Sequence, residues 1–336
     1  MTSRCQSFVT RIAAAMALCL VPGAVGAQEV SISVSSATAD LGTLVTGSAN
    51  SRYRITPQTG AVTQTAGDGL RLSTGSVASA LVTISCNGTT FCDTDNIELR
   101  VGTNRSNSGK FRNPQRFRVQ MGTASVDGGQ SGGAPRRFQI DPVPDGQSRT
   151  FFVGFDILER GSANSRPYGA TSGNYEIEAN HVSDPGNVVS ASGSVLGTVL
   201  RPIGASQDAV LDFGAFTVDS GSSATVTINA SSGVRTITGT GVTGLAGQAG
   251  SRGILTVTGE GGQAISVTAP GSIALTNGTD NLTANLSTDT PLSTNLSSTP
   301  GNEGTVSYGI GGSITISGSP SGGSYTGSAV VTVQYN

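Results

Sequence analysis

The chain has 336 residues, 48 of them glycine; only 12 % are charged, the formal net charge is −2, and tryptophan is absent. This balance excludes a typical basic nucleic-acid binder, a charge-driven disordered chain and an Ala/Glu/Lys/Leu-rich coiled coil. The glycines have no three-residue period, which excludes collagen. What remains is a Gly/Ser/Thr/Val-rich chain of short strands and turns.

Residues 1–27 read as a cleaved secretory signal peptide: Arg4 and Arg11 give a positive start, Ile12 to Val21 a short apolar run, and Val25-Gly26-Ala27 a small-residue cleavage site. The run is too short to span a bilayer comfortably, and no later segment is long and apolar enough to do so. Cys19 follows Leu18 rather than a small residue, so no lipid anchor is expected. Cys5 and Cys19 leave with the signal. Cys86 and Cys92 remain, and an even pair in an exported chain reads as one disulfide closing a small loop. A metal site would need further ligands, and the single histidine, His181, is far away in sequence. No metal and no cofactor are expected.

The mature chain then reads as one unit written twice. Asp40-Leu41-Gly42 recurs as Asp212-Phe213-Gly214. From there Ile55 matches Ile228, Gly60 matches Gly233, and Leu81-Val82-Thr83-Ile84-Ser85 matches Ile254-Leu255-Thr256-Val257-Thr258, all at one shift of 173 residues. Gly173-Asn174-Tyr175 resembles Gly323-Ser324-Tyr325 at a shorter shift. Period-two alternation marks strands at Ala224–Ile228, Leu255–Val257, Ile265–Ala269, Leu282–Leu286, Ile314–Ile316 and Val331–Tyr335, with Gly, Asn and Pro between them. No mature stretch holds a 3.6-residue apolar period for the length of a helix. The expected fold is all-β, two immunoglobulin-like or pilin-like sandwiches in tandem, residues 28–200 and 201–336. The first carries 14 basic and 14 acidic side chains, the second 3 and 7.

The second half resembles a bacterial secreted family catalogued as domain-of-unknown-function family 4402. The resemblance rests on Leu211-Asp212-Phe213-Gly214, Gly253-Ile254-Leu255-Thr256-Val257-Thr258-Gly259, Ile310-Gly311-Gly312, Gly323-Ser324-Tyr325-Thr326-Gly327 and the closing Val331-Thr332-Val333-Gln334-Tyr335. The first half is similar to a diverged copy. Tyr335 is penultimate and Gly323 stands fourteenth from the end, which resembles chaperone–usher pilin subunits. That resemblance implies an incomplete sandwich completed by a neighbour's strand. It makes Gly323, Val331, Val333 and Tyr335 assembly candidates. It also makes Val30, Ile32 and Val34, which alternate with serines, a candidate donor strand. The competing and weightier reading of that segment is the first strand of its own domain.

Little points to catalysis. His181 precedes Val182-Ser183-Asp184 and reads as an exposed turn residue before Pro185-Gly186 rather than a triad base. Asp156, Glu159, Glu176 and Glu178 could supply paired carboxylates, but Glu176 and Glu178 fit the solvent face of a strand. The most uneven charge is Arg100, Arg105, Lys110, Arg112, Arg116, Arg118, Arg136 and Arg137, opposed only by Asp127. These read first as an edge strand and loops kept soluble by arginine, and alternatively as a surface for anionic glycans or other polyanions. The expected role is non-enzymatic: an exported bacterial protein of the periplasm, cell surface or medium, pilus-subunit-like or adhesin-like. It would assemble by strand contacts with itself or related subunits and with a periplasmic chaperone. The alternative is a monomeric glycan-binding module using residues 100–137. Neither nucleic acid nor a membrane span is expected.

Overall fold

The computed structural model describes residues 29–77 and 79–336, all strand and loop. The signal expected over residues 1–27 lies outside them, as do Cys5 and Cys19. Among the described residues no helix is long and apolar enough to cross a membrane.

The first unit runs through β1 (Val30–Ser35), β2 (Thr38–Val45), β3 (Ser51–Ile55), β4 (Val62–Ala66), β5 (Leu70–Arg71), β6 (Ala80–Cys86) and β7 (Ile97–Ser108). It continues through β8 (Gln115–Met121), β9 (Val126–Ser131), β10 (Arg136–Ile140), β11 (Ser148–Glu159), β12 (Gly169–His181) and β13 (Val189–Leu200). One sheet has the order β1-β6-β11-β3-β4, with β8 also paired to β11; the other has the order β5-β2-β13-β12-β7-β10-β9. The sequence pattern decides which side chains meet between them. Along β6, Ala80, Val82, Ile84 and Cys86 point inward, and the alternate residues point out. Phe117, Phe155 and Tyr175 stack in the middle with ring centroids 5.1–5.7 Å apart. One continuous core results, reaching from Val30 to Val199.

The second unit holds β14 (Gly204–Ala209), β15 (Phe216–Ile228), β16 (Arg235–Gly244), β17 (Gly253–Glu260), β18 (Ala264–Thr268), β19 (Ser272–Thr276), β20 (Asn281–Thr288), β21 (Ser293–Asn295), β22 (Glu303–Gly318) and β23 (Thr332–Tyr335). Its larger sheet has the order β14-β17-β22-β15-β16, with β20 also paired to β22 and β19 to β20. Its smaller sheet has the order β21-β18-β23. Its core is in two pieces, one around Val226, Ala284 and Ile314 and one around Val257, Ile265 and Tyr308.

The two units agree in part of their sheet order. The order β1-β6-β11-β3-β4 maps onto β14-β17-β22-β15-β16, and β8 on β11 maps onto β20 on β22. In the second sheets, β10-β7-β12 maps onto β21-β18-β23. Two Asx turns share a hydrogen bond, that of Gly42 at a register shift inside β2 and that of Gly214 in the loop after β14. Gly42 N–H donates to Asp40 Oδ1, and Gly214 N–H to Asp212 Oδ1, both at 2.8 Å. Both glycines have positive φ, +77° and +72°. The hairpin closed by Gly60 on Thr56 repeats as Gly233 on Asn229. The expected match of Gly173 with Gly323 is not seen: Gly173 is inside β12, and Gly323 is in the loop before β23 with φ +137°.

Candidate functional site

β13 explains what is special about β23. In the first unit β13 lies between β12, to which it is antiparallel, and β2, to which it is parallel. In the second unit β23 takes the place of β12 and pairs with β18 through Ile265–Tyr335, Ser266–Gln334, Val267–Val333 and Thr268–Thr332. Among the described residues no strand occupies the far side of β23. That edge presents unpaired backbone groups, the template on which another strand can add. Val331, Val333 and Tyr335 are half-buried against the Ile265 cluster, and Val330 beside them is 85 % exposed.

Tyr335 fixes the inner side of this edge. Its hydroxyl accepts from Glu260 N–H at 2.7 Å and donates to the Arg201 carbonyl at 2.9 Å. Arg201 belongs to the link between the units. Its guanidinium donates to Gly301 O at 2.9 Å, pairs with Glu260 at 3.5 Å and lies 4.3 Å over the Tyr168 ring. Lys110 covers the same ring at 4.0 Å. Of the four assembly candidates, three are therefore on or beside an open edge. Gly323 is in the preceding loop.

Val30, Ile32 and Val34 do not form a free donor strand. β1 pairs over its whole length with β6, from Val30–Cys86 to Ser35–Leu81, and Val30 is buried in the core. Glu29 ties the start of β1 down by accepting from Thr90 N–H and Phe91 N–H at 3.0 and 2.8 Å. The alternation of this segment serves its own sheet, since any edge strand over a core has that pattern.

The eight basic residues are not one patch. Arg100 pairs with Glu98 and Glu178 on the outer face of β7, and Arg137 also reaches Glu98. Arg116 and Arg118, on β8 in the other sheet, join Arg54 around the fully buried Asp156. Arg105 and Arg136 donate to the backbone at Pro114 and Gly132. Arg112 is exposed. Lys110 is fully buried and donates to Gly161 O and Asn164 O, so it meets no outside anion. Most of these charges are used by the chain's own carboxylates and carbonyls, which sequence proximity hides.

The carboxylates do not converge either. Glu176 accepts from Asn104 and Glu178 faces Arg100, both on the outer face. Glu159 is inside, its Oε1 accepting from Thr46 at 2.8 Å, and burial pushes its carboxyl up to about 7.

One cluster was invisible in the sequence. His181 is not an exposed turn residue. It is the last residue of β12, opposite Ile97, 4 % exposed, with its ring against Phe91. Its Nε2 lies 3.6 Å from Cys86 Sγ, and Cys86 and Cys92 are joined as a disulfide. Packing of the two sheets brings Cys86, at the end of β6, against His181, at the end of β12, across a 95-residue separation.

Residues 203–335 match the family described as domain of unknown function DUF4402. The match starts just before β14 and ends on the last residue of β23. No curated protein matches the chain. Among solved structures, the chain is similar to the CsuC–CsuE chaperone–tip adhesion subunit pre-assembly complex of the archaic chaperone–usher Csu pili of Acinetobacter baumannii. The identity is 9 %, covering 90 % of this chain and 100 % of that one, with a TM-score of 0.30. It is also similar to a chaperone–tip adhesin complex of CFA/I fimbriae biogenesis, at 10 % identity over 89 % and 96 % of the two chains, with a TM-score of 0.27. At these scores the likeness carries no argument, and the all-β fold rests on the strands described above.

Proposed function

We propose that this chain is an exported, non-enzymatic subunit of a bacterial surface fibre or adhesin, and that its second unit accepts an extended strand from another subunit along β23. The observation that carries the reading is the edge of β23: in the first unit the same position is filled by β13. The divided core supports it. A strand laid there with apolar residues at every second position would cover Val331, Val333 and the gap between the two clusters. Each such side chain would contribute roughly 1.5–3 kcal/mol on full burial. A chaperone that covers the edge before assembly is the partner this chemistry implies. The shared part of the units' sheet order, with their matching turns, supports descent from one duplicated domain. Because β1 is consumed by its own sheet, the chain accepts a strand without giving β1 away.

The test appends a second copy of residues 182–200, the loop and strand of β13, after Asn336. The extended chain is expected to melt later in its second unit than the parent, because the added strand fills the edge of β23. A second-unit melting point unmoved by the added strand would contradict the reading.

A further inference from the structure

We propose that Cys86, Cys92, His181 and Glu29 bind a zinc-type divalent cation once the Cys86–Cys92 disulfide is reduced. The four groups come from both sheets at one end of the first unit: the start of β1, the end of β6, the loop that follows it and the end of β12. The sulfurs and a ring nitrogen of His181 lie within 4.8 Å of one another, and all three residues are buried. Cys92 Sγ lies 3.8 Å from Glu29 Oε2.

The spacing fits a tetrahedral ion. Zinc–sulfur and zinc–nitrogen bonds of about 2.3 and 2.0 Å, at a tetrahedral angle, put ligand atoms about 3.5 Å apart. The Cys86–His181 separation of 3.6 Å is already there, and the Cys92–Glu29 separation of 3.8 Å is close to it. The sulfur–sulfur edge, closed by the disulfide, must open.

The surroundings of such a site are also in place. His181 Nδ1 is buried without a hydrogen-bond partner and faces Asp95 Oδ2 at 3.8 Å. A carboxylate behind a histidine is the arrangement that orients the ring of a metal ligand. Asp95 is itself held by Ser183 N–H and Ser183 Oγ at 2.8 and 3.1 Å. Glu29 is held by Thr90 and Phe91, and a Cβ on Gly88 would overlap its carboxyl group.

The chemistry balances with a dithiol as reductant. The dithiol gives two electrons and two protons, closes into its own disulfide, and leaves Cys86 and Cys92 as thiols. The cation then replaces their two protons, which go to water. The cation and the disulfide are therefore alternatives at this site.

The test reduces the full chain with a dithiol, removes the reagent anaerobically and titrates with Co²⁺ as a spectroscopic stand-in for Zn²⁺. The reduced chain is expected to bind one Co²⁺ with sulfur-to-cobalt charge-transfer absorption and the visible bands of a tetrahedral ion, both erased by Zn²⁺. The oxidised chain shows neither. His181→Ala is expected to weaken binding at least tenfold, and Asp95→Asn roughly 10–100-fold. Absence of the charge-transfer absorption in the reduced parent would overturn the proposal, as would His181→Ala binding Co²⁺ as tightly as the parent. If His181→Ala does not fold, Glu29→Gln decides: tenfold weaker binding supports the site, and unchanged binding overturns it.

Discussion

Gly214 donates its backbone N–H to Asp212 Oδ1 at 2.8 Å, in a turn that the first unit repeats between Gly42 and Asp40 at the same distance. Both turns put glycine at positive φ, and a Cβ at either position would run into backbone, Gln248 O at Gly214 and Ser73 O at Gly42. The same local chemistry thus opens both units, after their first strands β1 and β14.

Gly42→Ala and Gly214→Ala should each cost about 2 kcal/mol or more, from left-handed backbone plus overlap. Because no strand is shared between the units, calorimetry should show Gly42→Ala lowering only the first unit's transition and Gly214→Ala only the second's. A single transition moved equally by both variants would mean that the units do not unfold separately.

Glu159 makes the first unit sensitive to pH. Its folded carboxyl titrates near 7 against an ordinary value of 4.5, because burial disfavours the charge. The folded chain therefore holds a proton that the unfolded chain releases. The contribution of Glu159 to stability is greatest below about 4.5 and falls as pH rises towards 7, by at most about 3 kcal/mol. Glu159→Gln should remove that slope and leave the variant more stable than the parent at pH 8. Parallel urea midpoints for the two chains from pH 4 to 8 would speak against it.

Arg118 and Arg112 should behave differently despite their closeness in sequence. Arg118 Nη1 is 2.7 Å from the buried Asp156, whereas Arg112 is exposed. Arg118→Ser should cost about 1.5–3 kcal/mol, as loss of hydrogen bonds to a buried charge does. Arg112→Ser should stay within about 0.5 kcal/mol. Urea unfolding followed by circular dichroism reads both.

Tyr335→Phe removes one hydroxyl that serves two backbone groups, Glu260 N–H and Arg201 O. The expected loss is about 1–2 kcal/mol from the second unit. A variant with an unchanged second transition would show that this hydroxyl does not hold β23 to the link.

These contrasts also mark what a reader of the sequence could see. Strands were legible wherever apolar residues alternate over a packed sheet, as at Ala224–Ile228 in β15 and Leu255–Val257 in β17. The Asp-x-Gly turns were legible because few other residue types tolerate that backbone. Long-range pairing was not. His181 reads as a turn residue until β12 is laid against β7, and the alternative reading of the arginines as one polyanion surface holds only until β7 and β8 are placed in different sheets. Val30, Ile32 and Val34 show the limit most plainly, because alternation is the same in a donor strand and in an edge strand at home. The open side of β23 is a property of sheet order, which no local pattern encodes.

Hydrogen exchange at β23 tests that open side most directly. In the monomeric chain the amides of Val331–Tyr335 should exchange markedly faster than those of β12, its counterpart in the first unit, which is paired on both sides by β7 and β13. In the chain carrying the appended copy of residues 182–200 they should become protected. Protection of β23 equal to that of β12 in the unextended monomer would contradict the account.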